Sequence, residues 1–295
     1  MSKSNLWQGS QNLDAQARTG TPGSFIELPD GIVHYEMSGS PDEQMIILVH
    51  GFSVPFFIWE PTFEALTAAG LRVLRYDLYG RGYSDRPEGV YDFDLFDNQL
   101  ANLLMALDIH QPVDLVGLSM GGRIAVVFTA RHTGLVRKLG LIDPLCPFVP
   151  QPLTARLAQL PGLGEGLVNL FGKQIFYSQL PKDFYRPENC PPEFQEKFLQ
   201  QLKYRGYKRA LLSTLRNMGD MPQPYYQVGE LGLPVLLIWG RHDHTKPVST
   251  IDILREAIPQ AEVHIIEEAG HIPHYERPEI VNPILIDFLK RGVHK

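Results

Sequence analysis

The stretch VDLVGLSMGGRIAVVFTAR, residues 113–131, decides the fold. Val113–Leu118 is an apolar run of strand length, and from Met120 onward the apolar positions recur at helical spacing. At the junction stand Gly117, Ser119 and Gly121 in the order G-x-S-x-G. Between a strand and a helix this motif reads as a nucleophile elbow: a strained turn presents the serine hydroxyl, and small flanking residues leave room for the neighbouring chain. A bare G-x-S-x-G also arises in turns that only pack a helix on a strand. The pattern on either side must therefore decide.

Working outward, short apolar runs alternate with amphipathic helices. The runs are Met45–Val49, Leu71–Tyr76, Leu139–Ile142, Val235–Trp239 and Val263–Ile266. Helical spacing appears at 59–69, at Leu100, Leu103, Leu104 and Leu107, at Ile251, Leu254 and Ile258, and at Val281, Ile284, Leu285 and Phe288. Such alternation predicts an α/β protein with a mostly parallel central sheet covered by helices on both faces. Ahead of it, Pro29-Asp30-Gly31 supplies the turn of a hairpin over 24–38. The rhythm breaks between Pro144 and Pro224, where 11 of the 24 prolines fall and helical spacing returns at Phe194, Phe198, Leu199 and Leu202 and at Leu211, Leu215 and Met218. The expected organisation is an N-terminal extension (1–23), a core (24–146 and 229–295) and an inserted helical cap (147–228) whose two apolar faces roof the site.

Composition narrows the function. The 295 residues are 44% hydrophobic and 20% charged, ordinary for a folded globular chain. A net charge of −6 without a dense basic cluster excludes the electrostatic footprint of a nucleic-acid binder. No apolar run approaches the ~18 residues of a membrane span, and the N-terminus lacks a signal-peptide pattern, so a cytoplasmic protein is expected. Cys146 and Cys190 have no zinc-ligand spacing and read as plain thiols. No cofactor and no metal is expected. The expected partner is a small molecule, with monomer and homodimer both open.

A serine hydroxyl needs a base and an orienting carboxylate. In LLIWGRHDHTKP, Asp243 follows one apolar strand; in IIEEAGHIPHYERPE, His271 follows the next. Open α/β sheets place their sites at such strand ends, and the order Ser119, Asp243, His271 is the one this arrangement requires. Asp143 also ends a strand but precedes Pro144, which favours a turn. His274 reads as a supporting or surface residue, and His242 and His244 lack a third metal ligand at suitable spacing. His50 reads as a group that pins backbone, and DLYGRGYSD, 77–85, as a structural turn.

Five segments, HGF (50–52), DLYGRGYSD (77–85), GLSMGG (117–122), WGRHD (239–243) and GHIPHYERPE (270–279), resemble in order those of the α/β-hydrolase-fold serine hydrolases. Among these the chain resembles the capped bacterial carboxylesterases and lipases. The resemblance implies a triad of Ser119, Asp243 and His271. It also implies an oxyanion hole formed by the amides of Met120 and Phe52, with Ser53 as an alternative donor. Serine at the elbow separates the chain from epoxide hydrolases and haloalkane dehalogenases, whose nucleophile is a carboxylate. Carbon–carbon bond hydrolases typically carry asparagine where this chain has Leu118, and perhydrolases continue past the elbow with glycine and glutamate where it has Arg123 and Ile124. Enol-lactone hydrolases share GLSMGG. The expected activity is hydrolysis of short- to medium-chain uncharged carboxylic esters; lactone or enol-lactone hydrolysis, carbon–carbon bond hydrolysis or cofactor-free perhydrolysis, and ligand binding without turnover are the alternatives.

Overall fold

The computed structural model describes residues 9–146 and 153–292. Residues 1–8 of the expected extension, 147–152 of the expected cap and 293–295 lie outside it. The strands are β1 (Ser24–Leu28), β2 (Gly31–Ser38), β3 (Met45–Val49), β4 (Arg72–Tyr76), β5 (Val113–Leu118), β6 (Val136–Ile142), β7 (Val235–Gly240) and β8 (Glu262–Ile266). They form one sheet in the order β1-β2-β4-β3-β5-β6-β7-β8, antiparallel over β1, β2 and β4 and parallel from β4 to β8. The helices are α1 (Ala15–Arg18), α2 (Glu60–Ala68), α3 (Phe93–Ala106), α4 (Met120–Arg131), α5 (Leu153–Gln159), α6 (Leu163–Gln179), α7 (Pro192–Gln200), α8 (Tyr207–Asn217), α9 (Gln223–Leu231), α10 (Thr250–Ala257), α11 (Pro273–Glu276) and α12 (Pro278–Lys290).

A strand buried on both faces sends alternate side chains into two cores. In β3, Met45, Ile47 and Val49 join the layer that contains α3, α4 and α10, whereas Ile46 and Leu48 join the layer that contains α2 and α12. Local chemistry sets the helix ends: the Asp92 carboxylate accepts from Leu95 N at 3.0 Å and starts α3. Lys138, buried in β6, donates to the carbonyls of Phe288 and Leu289 at 2.6 and 2.9 Å and to that of Arg291, so it caps the C-terminal end of α12.

Between the neighbouring strands β6 and β7 the chain makes its helical excursion. The expected cap boundary at 228 falls inside α9, which packs on α4 and α10 and so lies with the core. The expected roof differs too. Phe194 lines the cavity beside Ser119, but Met218 is buried with the main core and Phe198 with the α2–α12 layer. The rest of that wall comes from the end of α6 and the turn after it: Ile175, Gln179, Leu180, Lys182 and Asp183.

Candidate active site

Ser119 takes φ 52°, ψ −116°, a conformation costly for a residue with a Cβ. It stands at the N-cap of α4 yet makes no capping hydrogen bond, which leaves its hydroxyl to the cavity. Close packing explains the flanking glycines: a Cβ at Gly117 would stand 2.4 Å from Gly121 O, and one at Gly121 would stand 2.2 Å from Val49 O. The turn is locked by Ser119 N donating to Ile142 O at 2.9 Å and Leu145 N donating to Ser119 O at 2.8 Å.

The loop after β3 lies against this serine, with Gly51 so placed that a Cβ there would meet Ser119 Cβ at 3.5 Å. Each of its carbonyls is gripped from behind. His50 Nδ1 donates to Gly51 O at 2.9 Å while its Nε2 accepts from Leu78 N at 2.9 Å, so the tautomer is fixed. Burial holds this ring neutral, its pKa lowered to about 4. Arg81 Nε donates to Phe52 O at 2.9 Å, and the Tyr207 hydroxyl donates to Ser53 O at 3.1 Å. A trans peptide points its N–H away from its C=O, so pinning the Gly51 and Phe52 carbonyls orients the Phe52 and Ser53 amides. Met120 N–H, the first of α4, has no carbonyl within its own helix to meet.

His271 and Ser119 line one cavity of about 320 Å³ with Gly51, Phe52 and Ser53. Behind the imidazole, Asp243 Oδ2 accepts from Nδ1 at 2.7 Å, while Oδ1 accepts from Thr245 N at 2.6 Å and Lys246 N at 2.8 Å. Burial pushes the Asp243 pKa up, but His271 and these donors outweigh it and hold the carboxyl below its usual range. Burial likewise pushes His271 down, and the Asp243 charge outweighs it, so the imidazole sits above its usual value.

Asp143 does not bond His271 in the way Asp243 does; it stands beside Asp243, fully buried, and accepts from Gly240 N at 3.1 Å. Burial first, and then the Asp243 charge, push its pKa well above the usual range, which favours the protonated form beside the Asp243 carboxylate. Ligand atoms of Asp143, Asp243 and His271 lie within 4.8 Å of one another. That spacing would suit a metal, but His271 Nδ1 and Asp243 Oδ2 already hold each other at 2.7 Å and Asp143 accepts from Gly240 N, the pattern of a hydrogen-bonded chain. Sequence reasoning sets Asp143 aside as a turn former, because the β6–β7 pairing that brings it beside Asp243 is not written in local pattern.

Other candidates take quieter places. His274 is fully buried against Trp59, ring centroids 4.4 Å apart, and burial lowers its pKa to about 3; it is a core histidine and not a surface one. His242 stacks on Tyr185 at 4.3 Å, and His244 is exposed. The 77–85 segment is a turn held by Asp77, whose carboxylate accepts from Phe56 N and Tyr83 N at 2.9 Å each and pairs with His34 at 2.7 Å. A larger cavity of about 590 Å³ beside His34 and Arg75 contains none of the triad candidates.

An open, mostly parallel α/β sheet with a serine on a strained strand-to-helix turn and a His–Asp pair after its last strands defines a class of hydrolase architecture. Residues 46–284 match the family model described as the alpha/beta hydrolase family, and the chain belongs to that family. The 2-hydroxy-6-oxononadienedioate/2-hydroxy-6-oxononatrienedioate hydrolase 1 of Pseudomonas putida is 27% identical over 90% of this chain and 95% of its own. Among solved structures, carboxylesterase CesB from Bacillus subtilis superposes with a TM-score of 0.78 at 23% identity, covering 92% of each chain. The enol-lactonase from Burkholderia xenovorans LB400 superposes at 0.77 and 22%, covering 91% of this chain and all of the other. At such identities these two likenesses are of fold.

Proposed function

We propose that this hydrolase cleaves carboxylic esters through an acyl-enzyme. The observation that carries the reading is the meeting, at one cavity, of Ser119 on its elbow and His271 backed by Asp243 at 2.7 Å. In the proposed cycle His271 takes the Ser119 proton as the hydroxyl oxygen attacks the ester carbonyl, and the Phe52 and Met120 amides receive the oxyanion. His271 then passes the proton to the departing alkoxide, and water repeats the sequence to release the acid.

The substrate reading comes from the wall. Phe52, Val54, Ile58, Leu118, Ile175 and Phe194 make it largely apolar, and each buried methylene of an acyl chain is worth about 0.8 kcal/mol until the space is filled. Short- to medium-chain uncharged esters fit it, with the end of α6, the turn after it and Phe194 of α7 serving as the cap that selects among them. A carbon–carbon bond hydrolase, the activity in the name of the Pseudomonas relative, is less well supported, since Leu118 lines this cavity where such enzymes typically carry asparagine.

The expected result is hydrolysis of 4-nitrophenyl butyrate, and a single fluorophosphonate adduct on Ser119 by mass spectrometry. Ser119→Ala should abolish both. Labelling that persists unchanged in Ser119→Ala would falsify the nucleophile, and a lactone panel turned over in preference to acyclic esters would move the enzyme to lactone hydrolysis.

A further inference from the structure

The ester reading leaves one acidic group in the cavity without a role. Asp183 lines the wall together with Ser119, His271 and Thr245. It ends the short 3₁₀ turn Leu180–Asp183 that follows α6. This turn is fastened to the catalytic loop. His271 N donates to Asp183 O at 2.7 Å, and a Cβ at Gly270 would stand 2.5 Å from that same oxygen. Glu276 closes the clasp, one carboxylate oxygen accepting from Tyr185 N at 2.7 Å and the other from Gly270 N at 2.6 Å. Residue 183 is thus placed beside His271 by backbone contacts that do not involve its own side chain.

The Asp183 side chain is half-buried and reaches the Thr245 side chain; burial raises its pKa to about 6, so it carries its charge above that pH. Lys182, the one cation among the described lining residues, is exposed. Charges at an exposed rim are screened by water and salt, whereas a charge in a partly desolvated wall is felt across the cavity. A substrate bearing its own carboxylate would bring a like charge into this space and leave solvent without a partner inside.

We propose that Asp183 is a specificity determinant: a fixed carboxylate in the wall that turns away esters bearing an anionic group and admits uncharged ones. The inference rests on the ester reading and sharpens it. Carboxylate-bearing substrates, dicarboxylic ones above all, are excluded by the same feature. Asp183 also faces the imidazolium formed during turnover, so its removal slows neutral esters somewhat while relieving the repulsion of anionic ones.

The test compares 4-nitrophenyl pentanoate with 4-nitrophenyl hydrogen glutarate, similar in length and leaving group but differing by one carboxylate. Wild type should favour the neutral ester in kcat/KM, and Asp183→Asn should cut that preference about tenfold. Asp183→Ser should move it the same way, and Asp183→Glu, which keeps the charge, should leave it near the wild-type ratio. Raised ionic strength should change the wild-type ratio little, because a partly desolvated charge is screened far less than one at the rim. If wild type hydrolyses the neutral ester and the ratio is the same in all variants, Asp183 does not discriminate charge. If wild type hydrolyses neither, the ester reading fails and takes this inference with it.

Discussion

At the scale of single residues, the two buried aspartates carry opposite expectations. His271 and two backbone amides hold the Asp243 carboxyl below its usual range, while burial and the Asp243 charge push Asp143 well above its own and favour its protonated form. Asp243→Asn should therefore cost about four orders of magnitude in kcat, because an amide favours the wrong imidazole tautomer. Asp143→Asn replaces one neutral donor with another and should stay within about tenfold of wild type. Steady-state kinetics on both variants checks the pair, and the reverse ranking would make Asp143 the acid. The pH profile follows from the same contacts. Burial lowers the His271 pKa, the Asp243 charge more than restores it, and only the neutral ring accepts the serine proton. Activity should rise with pH along a limb centred above the ~6.5 of a free imidazole. A flat profile from about pH 5 to 9 would remove histidine base catalysis from a chemistry-limited step. Ser119, Asp243 and His271 could be read from sequence because each follows a strand. Arg81 could not: nothing in GRG discloses that its guanidinium grips the Phe52 carbonyl and, through Thr214, reaches α8.

At the scale of elements, periodicity found the strands because nearly every residue of β3, β5, β6 and β7 is buried. The helices of the excursion were harder. Their apolar faces pack partly on the main core and partly on the cavity, and spacing alone does not tell these destinations apart. This is why Phe194 was placed correctly and Met218 was not, and why the α6 wall went unnoticed. One element depends on a single cation: Lys138 meets three carbonyls at the end of α12. Lys138→Met preserves the stem and removes those bonds, each charge-assisted. The expected loss is about 2 kcal/mol, read as a fall in Tm of roughly 4–8 °C. A Tm unchanged within error would show that water caps the helix as well as the lysine does.

At the scale of the whole molecule, the strand order could not be derived from pattern, since parallel neighbours are set by crossovers and not by local sequence. That order has a cost. Strands β6 and β7 lie side by side although roughly 90 residues separate them, and closing such a loop costs about 1.4 kcal/mol more entropy than a 20-residue crossover. Pairings of this kind form late. On refolding from denaturant, far-UV ellipticity should recover ahead of hydrolase activity, and coincident recoveries would show that the excursion does not delay assembly. The same geometry sets a timetable at the ribosome. Ser119 is translated roughly 150 residues before His271, a lead of about 8–30 s at ordinary elongation rates. Through most of that interval the nascent chain carries the proposed nucleophile with neither partner, and Asp243 precedes His271 by only about 28 residues, so no ester met during synthesis can acylate Ser119 by this machinery until the loop after β8 has been made.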